Sequence, residues 1–226
     1  MIKNKKVFIA CDTNNINQIK KIIKYTNTKQ LKIGYKFGLE FLNSKNGRIF
    51  ISKLKNKIIF IDLKLHDIPN TIMSAIKALK DLKPNYLTIH INSGLEALRV
   101  AKKVSGKCKI VGVTTLTSLN NKNLKELGYN KSLENLVVQQ ANLARKANLD
   151  ALVCSAHEVK LVRKIFKKEI ITPGIRLNSN SEDQKRIATP KDALLNKKSD
   201  WIVIGRSITS GNIKKNIKKL ILHLNS

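Results

Sequence analysis

The stretch KIIFIDLKLHDIPNT, residues 57–71, holds the pattern from which the fold is read. A mostly apolar, β-branched run over 57–65 is followed by His66 and Asp67, then by Pro69 at the head of an amphipathic stretch over 70–82. A short run apolar on both faces reads as a strand of a parallel sheet, and a proline at its exit stiffens the turn into a helix. The same unit recurs on both sides. Strands are expected at 6–11, 31–37, 57–65, 86–90, 109–114, 151–154, 169–172 and 201–204. Helices are expected at 16–25, 70–82, 94–104, 132–146, 158–166, 190–196 and 213–224, with the region after Leu39 the weakest helical pattern. Eight alternating units imply an α/β protein with a parallel sheet. The 226 residues allow about 28 per unit, tight but workable for a (β/α)8 TIM barrel forming a single domain over residues 1–226. The alternative is an open doubly wound sheet, which calls for a glycine-rich turn after the first strand; Asp12-Thr13-Asn14 stands there instead.

Composition narrows the class further. At 42% hydrophobic residues the chain has material for a sizeable core, which sets aside disordered and collagenous chains. Three widely spaced cysteines, Cys11, Cys108 and Cys154, suit a reducing cytoplasm rather than a disulfide framework or a paired zinc site. The basic start MIKNKK runs into an apolar stretch that stops at Cys11 and Asp12, too short to target or span a membrane, and no later run reaches the length of a membrane helix. The balance of 44 Lys+Arg against 15 Asp+Glu, formally +29, points on its face to a polyanion. Only seven of those cations are arginine and the lysines are spread through every segment, so a bias toward lysine, asparagine and isoleucine codons is the simpler reading.

In a barrel of this kind, polar residues at the carboxyl ends of strands are the site candidates. Asp12 follows the first strand, Lys36 lies in the second, Asp62, Lys64, His66 and Asp67 belong to the third, and His90 ends the fourth. Strand alternation places Asp62 and Lys64 on one face, with Ile61, Leu63 and Leu65 turned toward the helices. Such a pair is either a structural ion pair closing the barrel or part of a site. Buried charge is costly unless paired, and two acids with two lysines at one end favour the site. After the seventh strand comes TPGIR (172–176), and after the eighth GRSIT (205–209), the loops where this architecture often holds phosphate. Arginine at both places suits bidentate oxyanion binding, although GlyArg is also an ordinary turn. The polar stretch 177–185 between them is a lid or simply a long loop. His66 supports the motif or makes a structural hydrogen bond, and His90 is open between the two. His157 and His223 read as surface or packing residues, and Cys154 as a buried thiol.

Taken together, DLKLHDIPNT (62–71), VTTLTS (113–118), TPGIR, DQKR (183–186) and VIGRSIT (203–209), with KFGLEFLNSKNG (36–47) and Asp12, resemble the orotidine 5'-phosphate decarboxylase family of the bacterial type, over essentially the whole chain. The resemblance implies cofactor-free, metal-free decarboxylation of orotidine 5'-monophosphate to uridine 5'-monophosphate (UMP) in the cytoplasm, by a homodimer with sites at the subunit interface. Lys36, Asp62 and Lys64 would come from one subunit, with Asp67 and Thr71 reaching in from the other. Asp12 would hold the ribose, Thr117 and Ser118 the pyrimidine, and Arg176, Gln184, Gly205 and Arg206 the phosphate. Lys64 would protonate the C6 carbanion beside Asp62 and Asp67, with Lys36 balancing their charge. This chain departs from the pattern at Cys11, usually leucine, at INSG (91–94), usually richer in glycine, and at Ser207, often proline. The nearest rival is a sugar-phosphate sibling on the same barrel that uses magnesium; HDIPNT, the LTS segment and DQKR favour the nucleotide. A nucleic-acid binder is motivated by the charge alone, since aromatic residues make up 5% of the chain and no recognition motif is present. No membrane or specific nucleic-acid partner is expected.

Overall fold

The computed structural model describes residues 5–177 and 188–225. Eight parallel strands close on themselves in sequence order: β1 Lys6–Ala10, β2 Lys32–Gly38, β3 Ile58–Leu65, β4 Tyr86–His90, β5 Lys109–Val113, β6 Ala151–Val153, β7 Glu169–Ile175 and β8 Trp201–Ile204. Closure is made by β1 against β8, from Lys6↔Trp201 to Ile9↔Ile204. The crossover helices are α1 Ile16–Thr26, α2 Leu39–Leu42, α3 Gly47–Ser52, α4 Pro69–Ala78, α5 Gly94–Val104, α6 Asn121–Glu126, α7 Leu133–Lys146, α8 Val159–Ile165, α9 Arg206–Thr209 and α10 Ile213–Asn225. The barrel expected from the alternating pattern is therefore present, and the open-sheet alternative is not.

Several local expectations are corrected. The stretch 70–82 is not one helix: α4 ends at Ala78 and a 3₁₀ turn covers Lys80–Leu82, with Lys83 in the left-handed region at φ 48°. The stretch 190–196 gives a π-helical turn at Asp192–Asn196. The weak pattern after Leu39 resolves into α2 and α3, joined where Gly47 packs on the Phe41 carbonyl so closely that a Cβ there would collide with it. The TPGIR segment lies mostly inside β7 rather than after it. Between the pairs Thr172↔Ile202 and Ile175↔Ile204 the register shifts, and Gly174 takes φ 74°, a conformation open to glycine at no steric cost.

Two apolar layers follow from the two faces of the strands. Between strands and helices lies the larger cluster, to which α1 contributes Ile19 and Ile22, α7 Val137 and Ala141, and α10 Ile217 and Leu220. Inside the barrel Phe8, Phe60, Tyr86 and Trp201 fill the lower half, Phe8 stacking on Trp201 at 4.0 Å. Gly34 on β2 makes room for the Phe8 ring, since a Cβ at that position would stand 2.5 Å from it. Below this plug, at the amino ends of the strands, Glu169 accepts from Lys6 (3.1 Å), Lys109 (2.8 Å) and the Tyr86 hydroxyl (3.0 Å). Bulky side chains and a satisfied carboxylate close the floor, and the space that remains among the described residues opens toward the carboxyl ends.

Candidate active site

That space is a cavity of about 340 Å³ at the carboxyl ends of the strands. Of the residues singled out from the sequence, Asp12, Lys36, Asp62, Lys64, Thr117, Arg176, Gly205 and Arg206 line it. Asp67, Thr71 and Ser118 do not; all three are exposed. Gln184, the DQKR segment and the stretch that follows Leu177 lie outside the described residues.

Four charges form a row of alternating sign across the cavity floor. Lys36 Nζ stands 3.2 Å from Asp12 Oδ1 and 3.2 Å from Asp62 Oδ2, and Lys64 Nζ donates to Asp62 Oδ1 and Oδ2 at 3.0 Å each. Asp62 is 8% exposed. Burial alone would raise its carboxyl pKa, but the ammonium groups of Lys36 and Lys64 outweigh that and hold it below the usual range. For Lys36 burial pulls the pKa down, while Asp62 and Asp12 together push it above its ordinary value. The row thus favours the charged forms of Asp62 and Lys36, with Lys64 the more open of the two lysines at 37% side-chain exposure against 13% for Lys36.

Asp62 and Lys64 share the face that alternation gives them, but not in a regular strand. Between the paired residues Ile61↔Leu87 and Leu65↔Ile89, the three residues Asp62, Leu63 and Lys64 stand opposite Thr88 alone, and Lys64 takes φ 50°. A bulge of this kind re-aims a side chain at the rim of a barrel. Thr88, fully buried on β4, spans it: its hydroxyl accepts the Lys64 backbone N–H at 2.8 Å and donates to Asp62 Oδ1 at 3.1 Å. Leu63 and Leu65 still pack toward the helices, as the sequence suggested. Thr88 was missed because a threonine inside an apolar strand reads as a β-branched core residue; its hydroxyl matters only once the bulge faces it.

The neighbouring features divide similarly. His66 and His90 stack with ring centroids 5.2 Å apart. His90 Nδ1 is buried without a hydrogen-bond partner among the described residues, and burial, then His66 and Lys64, lower its pKa. Asp67 is not the cap of α4, since Ile68 occupies that position; the Asp67 carboxylate accepts the Ile68 N–H at 2.7 Å and otherwise faces outward. At the ends of β7 and β8, Arg176 is held through its backbone, its N–H donating to the Ala188 carbonyl at 3.1 Å, while Gly205 and Arg206 open the short helix α9. Ser207 Oγ lies at hydrogen-bond limit, 3.5 Å, from the Leu177 N–H, tying the β7 and β8 loops together. Cys11 and Cys154 are buried, with thiol pKa values pushed up by burial. Among the described residues no three His, Cys, Asp or Glu side chains are grouped as metal ligands, and no helix is long and apolar enough to cross a membrane.

The cavity thus brings this charge row together with two arginines, Arg176 and Arg206, and the chain that builds it matches a known family. Residues 5–220 fit the model of the Orotidine 5'-phosphate decarboxylase / HUMPS family. The chain belongs to that family. Orotidine 5'-phosphate decarboxylase of Wolbachia pipientis subsp. Culex pipiens is 42% identical over 223 residues, 96% of this chain and 96% of the relative. The protein of the same name in Ehrlichia chaffeensis is 40% identical over 210 residues, 90% of this chain and 89% of the relative. Among solved structures, orotidine 5'-phosphate decarboxylase from Lactobacillus acidophilus aligns with a TM-score of 0.82 at 31% identity, over 98% of this chain and all (100%) of that one. The family name has two parts, and the relatives named here carry the decarboxylase part.

Proposed function

We propose that this protein decarboxylates orotidine 5'-monophosphate to UMP and CO2, the last step of de novo pyrimidine synthesis, without metal or organic cofactor. The observation that carries the reading is the row Asp12–Lys36–Asp62–Lys64 on the floor of the cavity, with Arg176 and Arg206 on its rim. Breaking the bond between C6 and the carboxylate leaves its electron pair on C6, where the ring π-system does not delocalise it. The stabilisation must then come from fixed charge. Lys64 supplies it: its ammonium faces the developing carbanion, then gives its proton to C6, and water restores that proton afterwards. Asp62 stands beside the departing carboxylate, and Lys36 keeps Asp62 charged and in place. Whether Asp62 acts by straining the substrate or by preorganisation, Lys36 and Lys64 together hold its buried carboxylate in the charged form that either route needs.

The phosphate belongs on the loops after β7 and β8, on Arg176, Gly205 and Arg206, with Gln184. Asp12 takes the ribose and Thr117 the base, Ser118 lying outside the cavity. Binding energy from the remote phosphate offsets the cost of organising the charged floor. Asp67 and Thr71 of the partner subunit complete the site in a homodimer. Their exposure outside the cavity of their own barrel supports this, as does Ile68, an apolar residue 65% exposed next to Asp67. The experiment is the loss of orotate absorbance when purified protein meets orotidine 5'-monophosphate, with and without EDTA. Equal turnover in both is expected. No change in absorbance would overturn the reading, and turnover abolished by EDTA would move the protein to a metal-dependent activity.

A further inference from the structure

Past Val113 the chain leaves β5 and runs along the cavity wall, where Thr115, Leu116 and Thr117 line it. A loop that must recognise a flat ring needs a fixed backbone, and the anchors here are few. Thr114 donates through its backbone and its hydroxyl to the Val153 carbonyl, at 3.2 and 2.9 Å. The next anchor is a side chain from a helix. Gln140 on α7, 2% exposed, accepts the Thr115 N–H at 2.9 Å and the Thr115 hydroxyl at 3.1 Å on one oxygen, Oε1. Its amide nitrogen donates to Asn92 Oδ1 at 2.9 Å, and Asn92 Nδ2 donates to the Tyr129 hydroxyl at 3.0 Å. Asn92 belongs to the 3₁₀ turn Ile91–Ser93 after β4, and Tyr129 to the link between α6 and α7. One buried amide therefore joins the loops after β4 and β5 to the α6–α7 connection.

A glutamine buried in a helix otherwise lined by Leu136, Val137, Ala141 and Ala144 has no packing reason to be there. Every polar atom of its amide that faces the loop is used, which fixes both its rotamer and the loop it holds. We propose that Gln140, backed by Asn92 and Tyr129, is a positioning residue that presents Thr115 to Thr117 to the base ring, and so sets the preference for a pyrimidine nucleotide over the same ribose phosphate without a base. The inference rests on the nucleotide reading of the cavity. It assigns Gln140 no contact with the ligand.

Calorimetric titration with UMP and with ribose 5-phosphate tests it. Gln140→Leu keeps the volume and removes the acceptor, so the buried Thr115 donors must seek water and the loop shifts. UMP affinity should fall about tenfold and ribose 5-phosphate affinity stay within about twofold, because the phosphate and ribose walls are untouched. Gln140→Glu retains an acceptor for Thr115 and should recover most of the UMP affinity. Asn92 is exposed, so Asn92→Ala does not endanger folding, and it should weaken UMP alone by a smaller factor. Equal losses for both ligands, or no loss for UMP in either Gln140→Leu or Asn92→Ala, would overturn the proposal. Wild-type protein that binds UMP no better than ribose 5-phosphate would sink the nucleotide reading instead. Amide hydrogen exchange at Thr115 in ligand-free protein, faster in Gln140→Leu than in wild type, reads the clamp independently of that outcome.

Discussion

Lys64 lies in the left-handed region at φ 50°, a conformation that costs a side-chain-bearing residue about 1–3 kcal/mol and persists where surrounding contacts hold it. Thr88 and Asp62 hold it here, one through the backbone and the other through the ammonium. If Lys64 gives the proton to C6, Lys64→Ala abolishes turnover but leaves UMP binding nearly intact, since base, ribose and phosphate contacts remain; steady-state rates and a titration check both halves. Near-normal turnover would remove Lys64 from the chemistry. Thr88→Val tests the bulge. It keeps the shape, frees the Lys64 N–H and the Asp62 oxygen, and should lower kcat by about ten- to a hundredfold with a small change in KM, as expected when a reacting group is misplaced by about an ångström. Thr88→Ser, which restores the hydroxyl, should recover most of the rate; a valine variant with unchanged kcat would make Thr88 a packing residue only.

At the scale of elements, the loops after β7 and β8 and the floor of the barrel invite separate tests. Arg206→Ala removes a charge-assisted contact worth about 1.5–3 kcal/mol, so KM should rise by one to two decades; an unchanged KM would place the phosphate elsewhere. On the floor, burial would raise the Glu169 carboxyl pKa, but hydrogen bonds from Lys109, Lys6 and Tyr86 outweigh it and lower the value. The unfolded chain then takes up the proton first as pH falls. The stability from Glu169 is complete above the ordinary glutamate value of about 4.3 and is lost as pH drops through the lower folded value. Urea midpoints measured down this range should fall more steeply in wild type than in Glu169→Gln, and parallel slopes would show the floor network to be energetically silent. These elements differ in how far the sequence disclosed them. All eight strands were legible because strands buried on both faces are continuous apolar runs, and β4 and β8 match the expected ranges at both ends. The helices α6 and α9 were not, because short polar turns of four to six residues carry no apolar period and form only against the barrel. The bulges in β3 and β7 were equally hidden, since register is a property of two strands and the sequence displays one at a time. Thus Asp62 and Lys64 at the carboxyl end were read correctly as neighbours, but without the bulge that shapes their approach.

For the whole molecule, the shared site of the proposed homodimer turns on Asp67 and Thr71, which are exposed and do not line the cavity of their own barrel. The Asp67 carboxylate faces outward beyond the end of β3, beside the exposed Ile68, where a two-fold contact would carry it into a neighbouring barrel. Mixing two inactive proteins, Lys64→Ala and Asp67→Ala, under conditions of subunit exchange followed by mass spectrometry, tests the site as a unit. In a mixed dimer of the proposed kind, one site collects both defects and the other regains Lys64 from its own barrel and Asp67 from the partner subunit. Activity should therefore return to about half that of the wild-type dimer per mixed dimer. Confirmed exchange with no return of orotate turnover would mean that Asp67 serves its own barrel and that the shared active site does not exist.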